Sequence, residues 1–307
     1  MSSADPRDDE PGHEDQASPD HQASMARRLS PIGVVGGGTM GSGIVHVLLA
    51  AGINVTLVES DQAALERADR LIRRSLDAAH QRGKLPGEPE DLLTRLTTAV
   101  IHDPLREARL VVEAVPEVPD LKITLLSEIE KVLPDEAILA TNTSSLSLAD
   151  LSRHLSRPNR FLGMHFFNPV PVQVLLEVIR TERTDRSALD LVHDLAGLLG
   201  KETIEIQDSP GFATSRLGVL LGLEAIRMVE EGVASPADID KAMTLGYRYP
   251  MGPCRLGDLV GHDVRLGIAD YLWAQLGPRF EPPQLLRDMV AAGKLGKKSG
   301  EGFYQWD

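Results

Sequence analysis

The chain has 307 residues and a mass of 33.3 kDa, a length that predicts about two domains. A formal net charge of −13 at pH 7 argues against a nucleic-acid backbone or an anionic membrane as the main partner, and 42% hydrophobic residues exclude wholesale disorder. The single cysteine, Cys254, excludes an intrachain disulfide and a cysteine-based zinc site and fits a reducing compartment, the cytoplasm.

Residues 1–24 carry Asp5, Asp8, Asp9, Glu10, Glu14, Asp15 and Asp20 against Arg7, with almost nothing apolar. This composition predicts a disordered acidic tail, taken to end at residue 28. It lacks the apolar core of a secretory signal and the Arg-rich make-up of a transit peptide, and no run of about 18 apolar residues occurs. Export and membrane spanning are therefore not expected. His13 and His21, isolated among solvated acids, are given no role.

From Ser30 short β-rich runs alternate with helical stretches, the pattern of βαβ units on a mostly parallel sheet. Strands are predicted at Ile32–Val35, Ile53–Val58, Leu96–Ile101, Leu110–Glu113, Ala137–Thr141, Phe161–Phe166 and Val172–Ile179. A helix is expected over Thr39–Ala51, and Leu65, Ala68, Leu71, Ile72 and Leu76 mark a second by their spacing. After Asp208-Ser-Pro-Gly211 helical signals take over, dividing the chain into an α/β unit over 29–207 and an all-α unit over 208–307. Helices are predicted over Thr214–Glu231, from Ser235 as N-cap to Gly246, and over Asp263–Leu276 and Pro283–Ala292. Apolar residues on more than one face of Leu217–Val229 point to a homodimer through the helical unit.

Gly36, Gly38 and Gly41 match GxGxxG after a strand and at a helix start, with Thr39 and Met40 inside the motif. Such glycines allow the tight turn, backbone approach to a pyrophosphate and close helix packing, while the helix N-terminus favours an anion. Glu59, at the end of the next strand and about 20 residues beyond Gly38, stands where an acid binds the adenosine ribose. A carboxylate there repels a 2′-phosphate, so NAD is expected rather than NADP. The alternative is a flexible turn beside a surface glutamate, which leaves this combination of context features unexplained.

His165 and Asn168 lie where an apolar strand meets a turn forced by Pro169 and Pro171. In the following strand Glu177 shares a face with Leu175 and Ile179, so its carboxylate needs a partner, and His165 is the natural one. A carboxylate on one imidazole nitrogen leaves the other free to take a proton, as alcohol oxidation requires. A core histidine and a solvent-facing glutamate form the alternative. In Ala140-Thr-Asn-Thr-Ser-Ser145, at the carboxyl edge of the sheet, Ser144 is the substrate-binding choice, with helix capping by Ser145 or Ser147 as the competing use.

Together with Val112-Glu-Ala-Val115, Asn142-Thr-Ser-Ser145, His165-Phe-Phe-Asn-Pro-Val-Pro171, Asp208-Ser-Pro-Gly-Phe212, Tyr249-Pro-Met-Gly-Pro253 and Gly300-Glu-Gly-Phe-Tyr304, the glycine motif resembles the 3-hydroxyacyl-CoA dehydrogenase family from about Pro31 to Trp306. The resemblance implies a Rossmann-type domain followed by a helical dimerisation domain. It implies NAD-dependent oxidation of a short-chain (S)-3-hydroxyacyl-CoA, with His165 as base, Glu177 as its partner, and Ser144 and Asn168 near the substrate oxygen and nicotinamide. Glu59, Glu113, Lys122 and Lys298 match positions lining the NAD site, and Ser75 and Arg82 match positions contacting CoA; an exposed helix arginine is an equal reading of Arg82. The sequence departs from the family at Ser215, where an asparagine is usual, which bears on substrate orientation. Competing functions are oxidation of a free hydroxy acid without CoA, and a non-catalytic NAD-sensing protein on the same fold.

Overall fold

The computed structural model describes residues 18–306. Its first element corrects the expected extent of the acidic tail, because α1 (Pro19–Leu29) is a helix. Ser18 accepts a hydrogen bond from the His21 N–H, a proline opens the helix, and Arg27 and Arg28 complement its C-terminal end. Ala26 and Leu29 are buried in the main core, and Arg28 meets Asp194 at 2.6 Å. The acids from Asp5 to Asp15 and His13 lie outside the described residues.

The α/β region then runs β1 (Ile32–Val35), α2 (Thr39–Ala50), β2 (Val55–Val58), α3 (Gln62–His80), α4 (Pro89–Leu93), β3 (Leu96–Ala99), β4 (Leu110–Glu113), α5 (Pro119–Val132), β5 (Ile138–Thr141), α6 (Leu148–Ser152), β6 (Phe161–Phe166), β7 (Leu175–Arg180), α7 (Arg186–Leu198) and β8 (Glu202–Gln207). The strands form one sheet in the order β3-β2-β1-β4-β5-β6-β7-β8, parallel except between β6 and β7. β1, β2, β4 and β5 are buried along their whole length, which is why they read as apolar runs. Because β1 pairs with β2 on one side and β4 on the other, a crevice opens at the carboxyl ends of β1 and β4, where the glycine loop emerges.

The expected strand from Val172 begins only at Leu175. Lys201 donates to the carbonyl oxygens of Val170 and Gln173, both at 2.6 Å, and holds that stretch as a turn. β8 was not predicted. Its Glu-Thr-Ile-Glu-Ile-Gln run lies on the outer edge, where four of its six residues are exposed.

The helical region contains α8 (Thr214–Glu230), α9 (Pro236–Gly246), α10 (Pro253–Val260), α11 (His262–Leu276) and α12 (Gln284–Ala291). Ser235 caps α9 by accepting from the Asp238 N–H at 3.2 Å. A separate core of Val219, Leu223, Ile226, Ala269, Leu272, Phe280 and Leu286 holds these helices together. Tyr271 packs against both this core and a core beneath the sheet, and its hydroxyl oxygen accepts from the Ser147 N–H at 3.1 Å. Among the described residues no helix is long and apolar enough to cross a membrane.

Candidate active site

The glycine loop joins β1 to α2. Gly36 has φ 93°, a conformation that L side chains avoid, and a Cβ at Gly41 would overlap the Gly36 carbonyl oxygen. Gly38, the N-cap of α2, makes no side-chain cap, and a Cβ there would meet nothing within 4 Å. That end of the helix is open to an anion. Glu59, just past β2, accepts from the Gly37 N–H at 2.6 Å, so the acid expected at the ribose borders the loop. These features suit a dinucleotide.

The second part of the site rests on antiparallel pairing. β6 and β7 place His165 directly opposite Glu177, and His165 Nδ1 lies 2.6 Å from Glu177 Oε2. Glu177 is 0% exposed and His165 6%, and Phe167 and Phe212 flank the imidazole at centroid distances of 4.5 and 6.0 Å. Glu177 also accepts from the Thr214 N–H at 2.9 Å and the Thr214 hydroxyl at 3.0 Å. Burial pushes the Glu177 carboxyl up, but the bonds from His165 and Thr214 and the imidazole charge outweigh it and hold it below the usual carboxylate range. The pair is therefore a buried anion against a ring nitrogen, leaving Nε2 for proton exchange.

The loop after β5 comes to the same edge, since Thr141 pairs with Gly163 two residues before His165. Asn142 Oδ1 accepts from the Phe166 N–H at 2.9 Å and ties this loop to β6. Ser147 caps α6, as one reading of the serines anticipated, while Ser144 is half-buried and makes no side-chain hydrogen bond among the described residues. Its backbone N–H donates to Glu117 Oε1 at 2.9 Å, and the Thr143 hydroxyl donates to the same oxygen. Asn168 is exposed at the end of the strand carrying His165.

Other expected residues fall elsewhere. Glu113 and Lys122 are both 0% exposed and face each other at 2.7 Å, with Thr141 and the Val115 N–H also donating to Glu113. Both side chains are buried at the end of β4, where they brace its last residues. The acid on the open side is Glu117, whose side chain is 37% exposed and meets Lys122 at 3.3 Å. Sequence reasoning missed Glu117 and Thr214, although Glu117 stands only two residues beyond Val112-Glu-Ala-Val115. Lys298 is paired with Asp263 in the helical region. Ser75 lies on α3 with its hydroxyl 2.8 Å from His46 Nδ1, Arg82 is exposed just beyond that helix, and Ser215 is half-buried in the first turn of α8. Among the described residues no cluster of His, Cys, Asp and Glu is placed to hold a metal ion.

Two family models match, the 3-hydroxyacyl-CoA dehydrogenase NAD binding domain over residues 31–209 and the 3-hydroxyacyl-CoA dehydrogenase C-terminal domain over 211–306. The chain belongs to the 3-hydroxyacyl-CoA dehydrogenase family. It is 42% identical over 286 residues to a 3-hydroxybutyryl-CoA dehydrogenase of Mycobacterium tuberculosis, covering 92% of this chain and 100% of the relative. It is 41% identical over 275 residues to a probable 3-hydroxybutyryl-CoA dehydrogenase of Deinococcus radiodurans, covering 89% and 99%. The crystal structure of (S)-3-hydroxybutyryl-CoA dehydrogenase from Ralstonia eutropha superposes with a TM-score of 0.85 at 38% identity, covering 90% of this chain and 98% of that one. Membership makes this chain an oxidoreductase with an NAD-binding Rossmann-type domain, and the open loop beside Glu59 agrees with that cofactor.

Proposed function

We propose that the protein catalyses reversible, NAD-dependent oxidation of a short-chain (S)-3-hydroxyacyl-CoA to the 3-oxoacyl-CoA. The observation that carries this reading is the 2.6 Å contact between His165 Nδ1 and a buried Glu177, on the sheet edge where the glycine loop also emerges. NAD supplies the hydride acceptor. His165 takes the hydroxyl proton at Nε2 as hydride leaves the carbinol carbon, and Glu177 fixes the tautomer and stabilises the imidazolium that forms. Ser144 and Asn168, both with polar groups open at this edge, orient the substrate oxygen. Ser75, Arg82 and Ser215 serve the acyl-CoA, the arginine as a charge for a phosphate.

A homodimer through the helical region is part of this proposal. Leu217, Leu245 and Tyr247 are exposed there, together with Leu256, Leu259, Val264 and Trp273, apolar side chains that a second copy would cover. Sedimentation showing a stable monomer would refute the dimer. We place the enzyme in the cytoplasm, in keeping with its single, buried, unpaired cysteine.

The deciding assay follows NADH consumption with acetoacetyl-CoA and, in parallel, with free acetoacetate. Turnover of the CoA ester alone is expected. His165→Ala should lower turnover by roughly 100- to 10,000-fold with NADH affinity near normal. Undiminished activity in that variant would overturn the assignment of the base, and equal use of acetoacetate would remove the CoA requirement.

A further inference from the structure

Glu177 accepts three hydrogen bonds, and two of them come from one residue. Thr214 donates its backbone N–H to Oε1 and its hydroxyl to Oε2, the oxygen that also faces His165. Thr214 is the first residue of α8, so the positive end of a 17-residue helix is brought onto the carboxylate. On the sheet Glu177 lies between His165 on β6 and Ile204 on β8, so His165 is the titratable group that faces it. The chain reaches this position through Gly211 at φ 75° and Phe212 at φ 51°. Left-handed backbone at a bulky, buried residue is disfavoured and persists only where the surroundings enforce it. Here that turn aims the start of α8 at Glu177 and sets the Phe212 ring beside His165.

We infer that Thr214 is a positioning residue for the reaction, holding Glu177 ionised and aiming its Oε2 at the imidazole. This rests on the reading of His165 as the base. Removing the hydroxyl takes one donor from Oε2, so Glu177 takes up a proton more readily and its aim at Nδ1 is loosened. Alcohol oxidation needs an ionised Glu177 behind His165, so the acid limb of kcat/KM moves to higher pH and kcat falls.

The test compares Thr214→Val and Thr214→Ser with the wild-type enzyme, using (S)-3-hydroxybutyryl-CoA and NAD across the pH range. Thr214→Val should lower kcat about 10-fold, the scale of one hydrogen bond to a charged group, and shift the acid limb upward by about half a pH unit or more. KM and NADH affinity should stay within about 2-fold, and Thr214→Ser should restore both rate and pH profile. A Thr214→Val enzyme with an unmoved acid limb overturns the inference, whether or not its KM changes. His165→Ala, run alongside, separates the two levels. If it keeps wild-type turnover, the reading of the base fails; if it is inactive while Thr214→Val matches wild type, only the role of Thr214 fails. Should Thr214→Val not fold, Thr214→Ala retains the backbone donor and serves the same comparison.

Discussion

Glu59 accepts a hydrogen bond from the backbone N–H of Gly37 at 2.6 Å, so the acid at the end of β2 is locked to the loop that opens α2. Its second oxygen is steadied by the Ser60 N–H at 3.1 Å. Such a carboxylate is fixed before any ligand arrives and keeps lone pairs for the ribose hydroxyls that we propose it binds. Glu59→Ala should weaken NADH binding by about 10- to 100-fold, the range for one hydrogen bond to a charged group, as read by fluorescence titration. Wild-type kcat/KM should be higher with NAD than with NADP, since in this role the Glu59 anion would face the 2′ position. A preference for NADP would refute this role for Glu59.

Glu177→Gln should be more damaging than its size suggests. The Thr214 N–H needs an acceptor where Oε1 stands, which turns the new amide nitrogen toward His165. Nδ1 must then accept, the proton moves to Nε2, and the ring presents the wrong tautomer to the substrate hydroxyl. Turnover in the oxidative direction should fall by about 100-fold or more, with NADH affinity unchanged. A variant with native turnover would remove Glu177 from the mechanism.

The sheet could be read wherever an apolar run lay between breakers. β1, β4 and β6 begin and end at the residues predicted, because they are buried along their whole length and mostly apolar. β8 escaped because Ile204 and Ile206 are its only apolar residues, and α1 because the acids before it masked the cap and basic end that define it. His165 and Glu177 were legible as partners since a strand, a turn and a strand bring those positions together. Glu117 and Thr214 were not, since each acts on a backbone or side chain that only tertiary packing supplies. For Glu113 and Lys122 a motif position named the residues but could not reveal that both are sealed beneath the sheet edge.

That sealed pair yields a stability prediction. Lys122→Met leaves the Glu113 carboxylate buried without its cation, and such losses typically cost about 3–5 kcal/mol. The midpoint of urea unfolding should drop accordingly. Glu113→Gln combined with Lys122→Met removes both charges and should recover much of the loss. If the double variant is less stable than Lys122→Met alone, the pair is not coupled in this way.

His46, on α2, gives the fold a pH dependence of its own. Burial, with a smaller contribution from the Lys201 charge, pushes its imidazole down to about 4, and Nδ1 lies 2.8 Å from the Ser75 hydroxyl. The ring is neutral in the folded protein and takes up a proton near its ordinary value of about 6.5 once unfolded. Above that pH the two states bind the same number of protons, and this group contributes no slope. As the pH falls through 6.5 the unfolded chain gains a proton that the folded chain refuses, so stability declines until about pH 4. The total loss is about 3 kcal/mol, and roughly half of it should be present at pH 5. His46→Asn keeps a polar group for Ser75 but cannot titrate, so its unfolding midpoint should change less between pH 7.5 and pH 5 than that of the wild type. Parallel pH curves for the two proteins would show that another group carries the slope.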